Sequence, residues 1–220
     1  MPFFPYSLND ILAHIRRRPS VYPTPLDVSK KLLHDLSHGV AEIQTHGIIH
    51  RNITGSTVLV RLNSRHESHG FDLHNLDFVI GSFEFSVFQK DLKKMGLHDA
   101  GALLCAPVDA QPPEVKPFFD HGFVLSETNL HQVIRPICTL IDSYQVGRCA
   151  LAALVNWEPD PFNKADIALS PHAKDGMREL IHKYPTHLGL LENLTRSRAT
   201  HQQEQDRASC ASFLRSIQAL

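Results

Sequence analysis

Residues 47–60 read GIIHRNITGSTVLV, a polar and partly cationic triplet set between two runs of aliphatic residues. Ile48-Ile49 and Val58-Leu59-Val60 have the β-branched and aliphatic side chains of short strands. His50, Arg51 and Asn52 therefore fall in the connection between them, where a rigid apolar frame can hold polar groups in one arrangement. Upstream, Val28, Leu32, Leu33, Leu36, Val40 and Ile43 recur at helical spacing and Gly47 follows them. That pattern predicts one long helix from about residue 28 to residue 46, closed by the glycine. Earlier still, Ser7 precedes Leu8, Ile11, Leu12 and Ile15, the spacing of a short amphipathic helix that ends near Arg18-Pro19. The residues before it suit a short apolar strand or hinge.

Downstream, RLNSRHESHG is polar enough for a turn or open loop, and FDLHNLDFVI predicts a second strand, giving a hairpin laid on a helical body. Residues 82–135 keep no period and carry Pro107, Pro112, Pro113 and Pro117, the marks of an extended irregular segment. Order returns at Ile141 with DSYQVGRCALAALV, whose polar residues cluster in the first two turns, as in a buried central helix. SPHAKDGMRELIHKY predicts a further helix with Ser170 as N-cap and Pro171 at its first position. GLLENL begins another, and Phe213, Leu214 and Ile217 give the tail a helical stripe. The expected class is α+β, mainly α, with a small β-hairpin, in one domain over residues 1–220.

Twenty-two Lys and Arg against 23 Asp and Glu leave a net charge of -1, which offers no long-range attraction to nucleic acid or an anionic membrane. An apolar fraction of 42% is that of an ordinary globule and argues against wholesale disorder. Cys105, Cys138, Cys149 and Cys210 lie far apart with no C-x-x-C pair, so reduced buried thiols are expected rather than a zinc knuckle or disulfide framework. MPFFPYSLNDIL lacks the basic and apolar regions of a secretory signal, and the default compartment is cytosol or nucleus. The N-x-T matches at Asn52 and Asn193 are then read as chance. The chain has no G-x-G-x-x-G, G-x-x-x-x-G-K, H-E-x-x-H or G-x-S-x-G. Its 15 histidines look dispersed, with His66 and His69 three apart on a polar loop.

Three features now stand in order: a long helix entering GIIHRNI, a hairpin leading to NLDFVIG, and a buried helix opening DSYQVG. That order resembles the C-terminal lobe of the eukaryotic protein kinase superfamily, from hinge to last helix, with the N-terminal lobe absent. The resemblance puts His50 and Arg51 on the first two residues of the H-R-D motif, Asn52 on its aspartate, and Thr57 on the asparagine that holds a second magnesium ion. Asp77-Phe78-Val79 matches D-F-G with the glycine replaced, which makes Asp77 the metal and nucleotide-phosphate residue. Asp142 and Gly147 match the central helix. Pro113-Glu114 matches the end of the activation segment, where the long interval to Asp142 means either an inserted stretch or a different true counterpart; with the match, Glu114 pairs with Arg207 or Arg198.

The resemblance implies a phosphoryl-transfer site for ATP and Mg2+, and the residues present argue against its use. Asparagine at position 52 can orient a hydroxyl but has no basicity near neutral pH. Thr57 supplies a weak neutral oxygen where a carboxamide belongs. Asp77 remains a competent ligand for a hard cation. His50 suits a packing role beneath the D-F-G turn with a hydrogen bond to backbone, equally open to any semi-buried histidine. Arg51 suits an acidic or phosphorylated partner among Ser82, Glu84 and Ser86, or plain surface exposure. Asp142 suits acceptance of backbone N–H groups from the His50–Asn52 loop, or the capping of its own helix.

The expected function is therefore non-catalytic: a pseudokinase-type module that binds another protein, with no bound cofactor and no nucleic-acid or membrane partner. A groove between the helix at 8–18 and the central helices is the expected surface. Two other readings stand beside it. One is a divergent serine/threonine kinase, using ATP and Mg2+, whose missing lobe is supplied elsewhere. The other is a helical adaptor unrelated to kinases. A lobe of this kind also predicts an exposed apolar patch over Met1–Tyr6, Val58–Val60 and Phe71.

Overall fold

The structure is a computed structural model, and it describes residues 4–17, 24–62, 73–92, 94–97, 107, 111–112, 124–130, 141–154, 186–187 and 189–191. The elements run β1 (Tyr6–Ser7), α1 (Leu8–Arg17), α2 (Pro25–Thr45), β2 (Ile48–Ile49), β3 (Val58–Leu62), β4 (Leu76–Ile80), β5 (Val87–Phe88), α3 (Gln89–Leu92) and α4 (Ile141–Leu154). Short 3-10 turns at Leu73–Asn75 and Phe83–Phe85 precede β4 and β5. The described residues are α+β, with two small antiparallel sheets beside the helices.

The first two helices begin where their sequences supply a cap. In α2, Thr24 Oγ1 accepts the Asp27 N–H at 3.2 Å and the Asp27 carboxylate accepts the Thr24 N–H, a reciprocal pair that satisfies two otherwise unpaired donors. Pro25 at the first position sacrifices an N–H that had no partner within the helix anyway. At the other end, Gly47 takes φ +69 and turns the chain directly into β2. Ser7 and Asp10 play the same part for α1, the serine N–H and hydroxyl both donating to the aspartate.

The apolar stripe of α2 faces α4 and β4. Val28, Leu32, Leu33, Leu36 and Val40 are buried with Val146, Ala150 and Leu154. Truncating a fully buried leucine such as Leu36 costs about 2–5 kcal/mol, because lost transfer energy and the cavity add. The close approach to β4 needs a small residue at position 39: a Cβ there would stand 3.1 Å from Ile80 Cδ1. Ser29 adds a polar link, donating its hydroxyl to the Ala150 carbonyl at 2.8 Å. With that proton committed, Ser29 Oγ is left as an acceptor, and the Nε2–H of His187 donates to it at 2.9 Å.

One sheet has the order β1-β3-β4, with Tyr6 opposite Val60 and Val60 opposite Phe78. The other pairs β2 with β5, Ile48 opposite Phe88. The predicted exposed patch is corrected at its centre: Val58 and Val60 are fully buried, because these alternate residues of β3 turn into the core shared with α1 and α2. Tyr6 and Leu62 are exposed at the sheet's margin. Met1 to Phe3, Phe71, the loop at 63–70, the predicted helix from Ser170, the helical stripe of the tail and Asn193 lie outside the described residues. So do Cys105, Cys138 and Cys210, while Cys149 is buried and forms no disulfide. Among the described residues, no helix is long and apolar enough to cross a membrane.

Candidate functional site

The loop between β2 and β3 is held from beneath by the first turns of α4. Asp142 sits in that helix's first turn, fully buried, and its carboxylate receives two backbone N–H groups: His50 N at 2.9 Å on one oxygen and Arg51 N at 2.8 Å on the other. One helical turn further on, Gln145 grips both sides of the next peptides. Its Oε1 accepts the Ile53 N–H at 2.8 Å and its Nε2 donates to the Arg51 carbonyl at 2.8 Å. Gln111 donates to the same carbonyl at 3.0 Å, and Cys149 Sγ lies 3.8 Å from the Ile53 carbonyl. Four residues far from the loop in sequence thus fix one short stretch of its backbone.

With the backbone fixed this way, Arg51 takes φ 70, an unusual region for a residue with a side chain. Its side chain turns inward, 2% exposed, and one guanidinium nitrogen donates to the Phe85 carbonyl at 3.1 Å. The residues just beyond Phe85 form β5, and Gln89 N donates to the Gly47 carbonyl at 2.7 Å. Arg51 therefore secures the returning chain by its main chain. The surface exposure allowed for this arginine from sequence is corrected, because the φ 70 turn of the loop aims its side chain into the protein.

His50 is fully buried. Its Nε2–H donates to the Gly81 carbonyl at 3.0 Å, and its ring meets the Phe83 ring edge-on with centres 4.7 Å apart. Nδ1 then serves as acceptor for the Asn52 N–H at 3.3 Å. Burial pushes the imidazole below its ordinary range, against the pull of Asp142, the Gly81 carbonyl and Glu84. Burial likewise raises Asp142, opposed first by the Arg51 and His50 amides and then by the charges of those two side chains.

Asn52 is 5% exposed, which closes the glycosylation match at that position. Thr57 is turned inward: its hydroxyl donates to the Asn52 carbonyl at 2.6 Å and accepts the Thr54 N–H at 2.9 Å. Asp77 is the second residue of β4, opposite Arg61, whose guanidinium reaches its carboxylate at 2.6 Å, with Lys31 Nζ at 3.6 Å. The turn that the structure brings against His50 is Gly81-Ser82-Phe83, with Ser82 at φ 62. Gly147 is buried in the second turn of α4. Glu114, Arg198 and Arg207 lie outside the described residues.

Sequence reasoning missed Gln145, Gln111 and the Phe83 contact. For Gln145 the signal was present, since a lone amide inside an apolar helical run must find partners for both its oxygen and its nitrogen. Among the described residues, no group of three His, Cys, Asp or Glu side chains is placed to enclose a metal ion. No protein-family model and no curated protein matches the chain, so the functional reading rests on this geometry.

Proposed function

We propose that this chain is a protein-kinase-like C-terminal lobe that binds another protein and transfers no phosphate. The observation that carries the reading is the two-amide grip of Asp142 on His50 and Arg51, the frame on which a kinase-type catalytic loop is built. The short ribbon of β2 with β5, and His50 lying against the Gly81–Phe83 turn, support it further. In this reading the turn beneath His50 is the D-F-G counterpart, so Ser82-Phe83-Glu84 takes that place and Asp77 belongs to the strand before it.

The register matters chemically. A serine hydroxyl then stands where a metal-binding carboxylate is required, Asn52 lacks basicity, and Thr57 commits its hydroxyl to the loop's own backbone. The 220 residues also contain no G-x-G-x-x-G to cover a triphosphate. What remains is a scaffold whose buried polar groups organise backbone.

The test is thermal unfolding with and without about 1 mM ATP, each with and without Mg2+, since a ligand bound by the native state alone raises the midpoint. The expected result is no shift in any arm. A Mg2+-dependent rise that disappears in Asp77→Asn would overturn the non-catalytic reading and restore the divergent serine/threonine kinase with Asp77 as ligand.

A further inference from the structure

His34 and His38 stand one helical turn apart on α2, both exposed to solvent. Their ring centres are 4.6 Å apart and the planes are inclined by 57°. Two imidazoles sharing one metal ion, each with nitrogen about 2.1 Å from it, hold their ring centres roughly 4.6 Å apart when the angle at the metal is near a right angle. The observed pair has that separation without any ion to impose it.

The tautomer also suits ligation. His34 Nδ1 is 3.0 Å from Asp35 Oδ1, and because a carboxylate only accepts, the proton must be on Nδ1. Nε2 is then the nitrogen with the available lone pair. A metal-bound histidine ordinarily donates its other N–H to a carboxylate in this manner, which fixes the ring and strengthens the ligating nitrogen. Asp35 is itself immobilised. Its other oxygen accepts the Phe78 N–H of β4 at 3.0 Å and lies 2.7 Å from Lys31 Nζ. The orienting carboxylate is thus fixed by a strand rather than left to rotate.

We propose that His34 and His38 form a two-histidine site for a divalent transition-metal ion of the Ni2+, Cu2+ and Zn2+ class, for which imidazole is a suitable ligand. Among the described residues no third His, Cys, Asp or Glu is placed to share an ion with the pair, so water completes the coordination. Hard cations that demand oxygen ligands, Mg2+ and Ca2+, gain nothing from it.

The experiment is calorimetric titration of the full chain with Ni2+ at pH 7.5, paired with amide NMR spectra at substoichiometric Ni2+, whose paramagnetism broadens nearby signals. The expected result is one site lost at least tenfold in affinity in His34→Asn and equally in His38→Asn. His46→Asn, just beyond the end of the same helix, should change it less than twofold. Broadening should centre on residues 34–38, and Mg2+ should produce neither heat nor broadening. Both side chains being exposed, the variants should keep the native midpoint. Less than a twofold loss in either variant, or broadening centred elsewhere among the 15 histidines, would overturn the assignment.

Discussion

Two aspartates of this protein stand in opposite settings. Asp142 is 1% exposed and accepts two backbone amides, while Asp77 stands on the outer face of β4 between Arg61 and Lys31. By count of ion pairs, Asp77 is the better connected. By consequence the order reverses, because an amide buried without an acceptor cannot turn to water, whereas an exposed guanidinium can. The contrast teaches that partners in this fold are to be weighed by what their loss leaves stranded.

The largest effect should follow Asp142→Ala. It strands two buried N–H groups at about 1–3 kcal/mol each, enough with the lost packing to remove roughly 3–5 kcal/mol, a large part of the stability of an ordinary domain. Urea unfolding monitored by circular dichroism should show a midpoint far below wild type or no cooperative transition. A loss under about 1 kcal/mol would break the contrast outright. Gln145→Leu comes next. It strands the Ile53 amide while Gln111 still serves the Arg51 carbonyl, so about 2 kcal/mol is expected in the same assay.

A third measurement sharpens the contrast by pH. His187, buried against Ser29, is lowered to about 4 by burial and by the nearby Lys30 charge. The unfolded chain takes up this proton near pH 6.5 and the native state only near 4, so its contribution is complete above about 6.5 and is lost as pH falls toward 4. Unfolding at about pH 7 and about pH 4.5 should differ by about 1–2 kcal/mol from this group once solvent screening is allowed for, while the lowered His50 and the raised Asp142 act in opposite directions. His187→Gln should flatten the profile by its share, and an unchanged slope would place the pH dependence elsewhere. The smallest effect belongs to Asp77→Asn, expected within about 0.5 kcal/mol of wild type and smaller still in about 0.5 M salt.

Much of the frame could be read from the sequence because it depends on one period at a time. α1, α2 and α4 follow from apolar spacing, with the start of α1 marked by Ser7 and the end of α2 by Gly47, whereas the Thr24-Pro25 start of α2 lies ahead of its apolar stripe and reads from sequence as loop. For Asp142 the sequence left two employments open, the His50–Asn52 amides suggested by the kinase resemblance and the cap of its own helix, and the structure shows the first. What escaped depends on pairing across the chain. β5 is two residues long and exists as a strand only because Ile48 and Ile49 lie beside it. Alternation in Val58-Leu59-Val60 marks two faces without saying which is inside. That Asp77-Phe78 lies within β4 while His50 meets the Gly81 carbonyl and the Phe83 ring likewise depends on pairing that no local pattern displays. The four-residue interval from His34 to His38 stands in the sequence, and only the ring geometry gives it meaning.

The grip of Asp142 spans 92 positions from His50. At about 5–20 residues per second, the ribosome releases the His50–Asn52 segment roughly 5–20 s before the carboxylate that shapes it has been made. During that interval α2 can form on its own local hydrogen bonds, but Arg51 has nothing to hold it in its left-handed conformation. The loop therefore acquires its shape late, when α4 docks, and closing that span costs about 4 kcal/mol of chain entropy that the buried core must offset at the same moment.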